Sequence, residues 1–152
     1  TNVVEMRSKE GQNLATDILQ RNNQILLMVE TLEKRSPEVT RNYSEKLHKR
    51  ITEMVCQDLV DEQRIIQESA IFADKSSITE EIVRLKSHTQ HLAEFMQSEN
   101  GAVGRKSDFL VQEMFREINT IASKANDIEM SRIVVEIKAE LEKIREQLQN
   151  IE

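Results

Sequence analysis

Apolar residues recur at helical spacing through the first third of the chain. One stripe over residues 3–35 consists of Leu14, Ile18, Ile25, Val29 and Leu32. Asn22 stands at a position of this stripe where the spacing calls for an apolar residue. Ser36 and Pro37 then match the start of a new helix, because serine caps helices and proline suits the first helical position. We therefore predict an antiparallel helical hairpin over residues 1–60, with a turn near residue 36.

The pattern changes after residue 60 but stays helical. A third helix is predicted from about Asp61 to Ala73, with Ile65, Ile66 and Phe72 facing inward. The spacing as a whole predicts about six helices. The breaks between them are predicted near residues 36, 56–60, 74–77, 98–104 and 125–127.

The fourth predicted helix begins with a capping signature. Ser77 stands three residues before Glu80, which is the spacing of a capping box. The apolar positions that follow are Ile78, Ile82, Leu85, Leu92 and Met96. The segment "QSENGAVG" at 97–104 ends this helix and is predicted to be a flexible loop.

The last helix has the most regular pattern. Its apolar positions are spaced 4, 3, 4, 3, 4 and 3 residues apart, and they are Met130, Val134, Ile137, Leu141, Ile144, Leu148 and Ile151. A heptad seam of this length suits a packed helical pair or a coiled coil. It faces either the chain's own core or a second subunit, and the pattern alone leaves both open.

Composition supports an all-α fold. The 152 residues include three glycines, one proline and five aromatic residues, too few for the turns and strands of a β-sandwich. We predict a long helical hairpin (1–60), followed by a smaller helical bundle (61–152) that carries the candidate active site and ends in the heptad-patterned helix. Cys56 is the only cysteine, so an internal disulfide is excluded.

Charge and hydropathy limit the kinds of partner that the protein can bind. The net charge of −6 excludes a surface that is basic all over, so a polyanion would need a local basic patch. No apolar run reaches the length of a membrane span and no signal peptide is evident, so we expect a cytoplasmic protein without a membrane partner. The chain starts without methionine or a cap motif, which we expect of an excised fragment.

Residues 109–124, "FLVQEMFREINTIASK", interleave polar and apolar residues in one helix. At roughly 100° per residue, a polar stripe separates from the apolar one, and it consists of Glu113, Glu117, Thr120 and Lys124. The two glutamates are one turn apart and suit a shared divalent cation, while Arg116 and Lys124 suit a phosphate. These are the parts of a phosphodiester-cleaving site. The alternative is a solvated face with ion pairs at helical spacing.

A second polar group borders the stripe of the preceding helix. Glu81, Arg84, His88 and His91 fall within roughly 80° of each other. His88 suits a general acid or base near neutral pH, although a histidine at such a border is commonly structural. We predict that this helix packs against 109–124, with His88 and the two glutamates opening on one cleft.

Long stretches of the sequence resemble a known family. "DEQRIIQESAIFADKSSITEEIVRLKSH", "GRKSDFLVQEMFREINTIASKAND" and "VVEIKAELEKIREQLQNIE" closely resemble the C-terminal region of the YicC/YloC family of bacterial endoribonucleases. The resemblance covers essentially all of the chain and implies a further N-terminal α/β region that is absent here. The sequence departs from the family pattern at two positions: Phe115, where the family usually has Asn, and Ala122, where it usually has Gly.

The resemblance implies metal-dependent cleavage of RNA by a homo-oligomer, commonly a hexamer. The implied metal is Mg²⁺ or Mn²⁺, with candidate ligands Glu113, Glu117, Glu81 and Asp108. The candidate catalytic residues are His88, Glu113, Arg116 and Glu117. The candidate RNA-binding residues are Arg84, Arg105, Asn119, Thr120, Ser123 and Lys124. The alternative is a helical oligomerisation or adaptor module, docked through the 130–151 seam, with the chemistry in the N-terminal half.

Overall fold

The chain folds into helices throughout the part that the structure describes. The computed structural model describes residues 2–55, 59–98 and 103–151, and side chains within 9–55, 59–98 and 105–150. No strand occurs within these ranges, so the all-α prediction is confirmed. Five helices follow one another: α1 (Asn2–Met54), α2 (Glu62–Ser76), α3 (Thr79–Gln97), α4 (Val103–Lys124) and α5 (Ile128–Ile151).

The predicted turn near residue 36 is wrong, because α1 continues through Pro37 as one helix. A proline inside a helix removes one backbone hydrogen bond and costs about 3 kcal/mol. Tertiary contacts on both sides of Pro37 hold the helix together. Leu32 is fully buried before it, and Val39 packs against the core after it. Arg35 also binds Asp127 with two hydrogen bonds of 2.8 and 3.0 Å.

The core lies between four helices. The first part of α1, with α3, α4 and α5, forms a closed circuit of packed pairs: α1 on α3, α3 on α4, α4 on α5 and α5 on α1. The core residues of α1 run from Ile18 to Leu32. The second part of α1 therefore extends beyond the core and packs with α2 as a two-helix arm. The division into domains at residue 60 remains a prediction.

The heptad seam of α5 faces the chain's own core. Its described positions, Met130, Val134, Ile137, Leu141, Ile144 and Leu148, are all buried. The side chain of Ile151 lies outside the described residues. Since α1 and α4 cover this seam, it is not a free surface for docking a second subunit.

Asn22, which stands in the apolar stripe of α1, forms a buried hydrogen bond to α3. It is only 5% exposed, and its Nδ2 donates to the backbone carbonyl of Thr89 in α3 at 2.7 Å. The Thr89 hydroxyl donates in turn to the Lys86 carbonyl at 2.8 Å. This buried polar contact fixes the level at which α1 and α3 pack.

Two details around α2 differ from the predictions. Ile65 is buried as predicted and Phe72 stacks on Tyr43 with 3.8 Å between ring centroids, but Ile66 is 67% exposed. A two-helix arm has one inner face, and Ile65 already occupies it. The helix begins just after Asp61, whose side chain caps it by accepting from the Arg64 N–H.

The capping box predicted at Ser77 is also wrong. Ser77 ends α2, and α3 begins at Thr79 with no side-chain cap. Ile78 occupies the capping position because its side chain is buried in the core at 2% exposure. Of the loop predicted at 97–104, residues 99–102 lie outside the described residues, Gln97 ends α3, and α4 begins at Val103.

A charged cleft between α3 and α4

α3 and α4 pack antiparallel, which brings their polar borders together. At one end Lys124 bonds Glu81, and at the other the Lys106 ammonium lies 5.8 Å from the centre of the Phe95 ring. His88 is midway between Glu81 and Phe95 along α3. By this register His88 lies level with the middle of α4, where Glu113 and Glu117 lie.

Glu81 is a buried carboxylate, and one of its two oxygens accepts a hydrogen bond from Lys124. Its side chain is 6% exposed, and Lys124 Nζ donates to Oε1 at 2.8 Å. Oε2 is buried and makes no hydrogen bond within the described residues. Burial by itself would raise the pKa of Glu81, but hydrogen bonds from Lys124 and the backbone, with the charges of Lys124 and Arg84, hold it below its ordinary value. Glu81 is therefore an ionised acceptor, and its Oε2 has no partner among the described residues.

Glu117 is the second buried carboxylate of the cleft. Its side chain is 7% exposed, and its Oε2 lies 3.5 Å from Nη1 of Arg84. The other terminal nitrogen of Arg84 donates to Glu80 at 3.1 Å. Arg84 is half-exposed, so one cation links the buried Glu117 to the surface and contributes charge to Glu81 as well.

Glu113 and His88 lie at the same level along the polar borders of α4 and α3. The Glu113 side chain is one-quarter exposed and lies 3.9 Å from Arg116, a distance too long for a hydrogen bond. His88 is half-buried, and its Nδ1 has no hydrogen-bond partner within the described residues. Among the described residues, His88 Nδ1 is therefore a buried nitrogen without a partner, and Glu113 is held only by a long ion pair.

The outer border of α4 is solvent-exposed. It consists of Gln112, Arg116, Asn119 and Ser123. Thr120 and Ser123 donate to backbone carbonyls of their own helix, those of Arg116 and Thr120. Such bonds are usual for hydroxyls within a helix. Within the described part of the chain, these two hydroxyls bond only to their own helix. Arg116 and Asn119 lie beside the cleft with their polar groups facing water.

Lys124 has a different role from the one its stripe suggests. Besides Glu81, it donates to the Ser77 carbonyl at the end of α2 with a 3.0 Å bond. Two acceptors thus hold an ammonium that is one-third exposed. Sequence spacing missed this pairing, because Glu81 and Lys124 are on different helices and only the packing register joins them.

The four candidate metal ligands do not gather at one point. Asp108 is about 24 Å along α4 from Lys124, at about 1.5 Å per residue, so it cannot share a cation with Glu81 within one chain. Arg105 is exposed at the same distant end of α4. Among the described residues, no group of three or more histidine, cysteine, aspartate and glutamate side chains is arranged to hold a metal.

The family departures fall on the core side of α4. Phe115 and Ala122 are half-buried and pack against the core cluster. Phe115 therefore serves packing, and its side chain brings no hydrogen-bonding group to the cleft.

None of the helices within the described ranges is long and apolar enough to cross a membrane.

Comparison with known proteins agrees with the sequence resemblance. The chain is 54% identical to a probable endoribonuclease YicC of Clostridioides difficile over 97% of its length, and 36% identical to a probable endoribonuclease YicC of Haemophilus influenzae over 100%. The chain spans about half the length of these curated relatives. Residues 32–152 match the family described as "Endoribonuclease YicC-like, C-terminal". The chain therefore belongs to the YicC-like endoribonuclease family.

Proposed function

We propose that this chain supplies the cleavage site of an endoribonuclease, and that RNA phosphodiester bonds are hydrolysed at the cleft between α3 and α4. The observation that carries the proposal is a pair of buried carboxylates on facing helices, Glu81 paired with Lys124 and Glu117 with Arg84, with His88 on the same border of α3. A purely structural pair needs no free carboxylate oxygen and no unpartnered histidine nitrogen. The two relatives, each named a probable endoribonuclease, support the same class of reaction.

Each group of the cleft has a task in this proposal. The half-exposed Arg84 and the exposed Arg116 bind phosphate oxygens by charge-assisted hydrogen bonds. His88 moves a proton at the attacking or leaving oxygen. Glu117 keeps Arg84 in place, and Glu113 orients the water or the ribose hydroxyl beside it. Asn119, Thr120 and Ser123 line the outer border along which the strand passes, while Arg105 contacts a distant phosphate.

A divalent cation, Mg²⁺ or Mn²⁺, is part of the proposal. Mg²⁺ commonly takes only one or two protein carboxylates and completes its shell with water and phosphate. The unpartnered Oε2 of Glu81 and the loosely paired Glu113 and Glu117 fit that smaller requirement, whereas Asp108 is too distant. When bound, the cation would neutralise charge that develops on the phosphate.

The test is a chimaera in which this chain replaces the matching half of the C. difficile relative. Glu117→Gln and Glu81→Gln are compared with Glu136→Gln, an exposed glutamate of α5. A labelled RNA is incubated with Mn²⁺ or with EDTA. We expect both cleft variants to lose at least about a hundredfold in rate, as for the loss of a group that acts on the transition state, with the control unchanged.

Circular dichroism of each variant separates lost chemistry from lost folding. Wild-type cleavage by a folded Glu117→Gln, Glu81→Gln double variant would end the proposal. The competing function, an adaptor docked through the 130–151 seam, is less favoured because the described positions of that seam are buried in the chain itself. The hexamer and the cytoplasmic location remain predictions, and light scattering of the purified protein tests the first.

A further inference from the structure

Beside the cleft lies a polar cavity to which the sequence patterns assign no role. It has a volume of about 350 Å³ and is lined by α1, by α2 and by the connection between α4 and α5. Its polar and aromatic lining residues are Asn42, Tyr43, Lys46, Phe72, Asn126 and Asp127. Ligand sites in proteins commonly have volumes of about 300–1,000 Å³ and a few convergent polar groups.

The cavity adjoins the Glu81 end of the cleft. Lys124, which binds Glu81, is followed two residues later by Asn126 in the wall of the cavity. Two residues span at most about 7 Å. Lys124 also binds the Ser77 carbonyl, which ends the helix that carries Phe72. The cavity and the Glu81–Lys124 pair are therefore neighbours in the fold.

The walls of the cavity suit a nucleotide. Tyr43 and Phe72 form a stacked pair, and Tyr43 is 36% exposed, so an aromatic surface is accessible for a base. The amides of Asn42 and Asn126 are both exposed and carry a donor and an acceptor for a base edge. Within the described residues neither amide is held by another side chain.

The charge around the cavity is also favourable. Its one carboxylate, Asp127, is paired by Arg35 through two hydrogen bonds and accepts from the Met130 N–H. Lys46 lies exposed at the wall. Residues 40–54 hold four lysines and arginines against two glutamates, in a chain whose net charge is −6. This segment of α1 is thus locally basic, whereas the arm as a whole, with α2 included, is close to neutral in an acidic chain.

We infer that this cavity binds one nucleotide of a single-stranded RNA, next to the nucleotides in the α3–α4 cleft. The base lies against the aromatic pair, with its edge read by Asn42 and Asn126, and Lys46 binds the adjoining phosphate. The inference rests on the proposed function, because it takes RNA to be the substrate of the neighbouring cleft.

The experiment measures binding of a fluorescent oligouridylate 12-mer to the 152-residue chain by anisotropy, over a salt series from low ionic strength. The variants are Asn42→Ala/Asn126→Ala and Lys46→Ala. The matched control is Lys9→Ala/Asn13→Ala, an exposed lysine and amide at the other end of α1. We expect the amide variant to bind about fivefold or more weakly. Lys46→Ala should lower the slope of log K against log salt by about 0.7, the share of one phosphate on a single strand.

Cross-linking gives a second readout. A 4-thiouridine probe should attach to peptides that contain Tyr43 or Phe72, and the amide variant should lower that yield. Wild-type affinity, salt slope and cross-linking in the cavity variants would overturn the inference, as would no binding of this RNA by the wild-type chain at low salt.

Failure of the inference and failure of the proposed function are distinguishable. Loss of cleavage in the Glu117→Gln chimaera, with cavity variants that bind normally, would leave the cleft as the cleavage site and refute the cavity. Loss of binding in the cavity variants, with cleavage retained in the cleft variants, would keep the cavity as an RNA site and refute the cleft.

Discussion

Replacing Lys124 with methionine tests whether the buried Glu81 depends on its cation. Methionine keeps most of the length and apolar stem of the lysine but removes the charge and both hydrogen bonds, to Glu81 and to the Ser77 carbonyl. Glu81 would remain in place with its side chain 6% exposed and without its closest positive charge. The substitution therefore isolates the electrostatic support of one carboxylate.

The magnitude follows from the two bonds. Removing one partner of a fully buried pair costs about 3–5 kcal/mol, and a hydrogen bond to a charged group contributes about 1.5–3 kcal/mol. Lys124 is itself one-third exposed, so water partly replaces it and the cost falls below the range for a fully buried pair. We expect a loss of about 2–3 kcal/mol in the free energy of unfolding. In a chain of this size that lowers the Tm by about 4–12 °C.

The assay is urea unfolding followed by circular dichroism, with a double-mutant cycle through Glu81→Gln. The coupling free energy between the two positions should be at least about 1 kcal/mol at pH 7. The pKa of Glu81 is lowered in the folded chain, so its stabilising contribution is present above the ordinary pKa of 4.5 and is lost as the pH falls through the folded value. The cost of Lys124→Met should accordingly shrink below pH 4.5.

Two results would refute this reasoning. A coupling free energy near zero would mean that the 2.8 Å contact contributes nothing to the stability of the fold. A cost that does not change between pH 7 and pH 4 would mean that the effect of methionine is steric rather than electrostatic.

Three further predictions concern helix continuity, the core and activity. Pro37→Ala should raise the free energy of unfolding by about 2–3 kcal/mol, because it restores a backbone donor inside α1; an unchanged or lower urea midpoint would contradict this. Leu141→Ala, at a fully buried position of α5, should cost about 3 kcal/mol and lower the Tm by about 6–12 °C in a thermal scan, whereas a loss under 1 kcal/mol would place the core elsewhere. The 152-residue chain alone should cleave RNA poorly, since its net charge of −6 leaves few phosphate contacts; cleavage at the rate of the full-length relative would refute the charge argument.

Much of the helical architecture could be predicted from the sequence, because burial of one face imposes a period that is visible in any helix. The stripe of Ile18, Ile25, Val29 and Leu32 is buried, as is the seam of α5. Local signals were less reliable wherever packing opposed them. Ser36 and Pro37 carry a strong stop signal, yet core contacts on both sides outweigh the cost of one missing hydrogen bond.

In the candidate cleft, too, some features could be predicted from the sequence and others depend on the tertiary structure. The polar stripe of α4 and the polar border of α3 are properties of the sequence, since each follows from the spacing within one helix. The partners of these residues could not be predicted from spacing within one helix. The two residues of each pair are far apart in the sequence, by 43 positions for Glu81 and Lys124 and by 33 for Arg84 and Glu117. Only the antiparallel register of α3 and α4 decides which carboxylates are buried and paired, and which side chains stay free for a ligand. Spacing along one helix determines which residues share a face. A contact between two helices depends on how both helices pack on the common core.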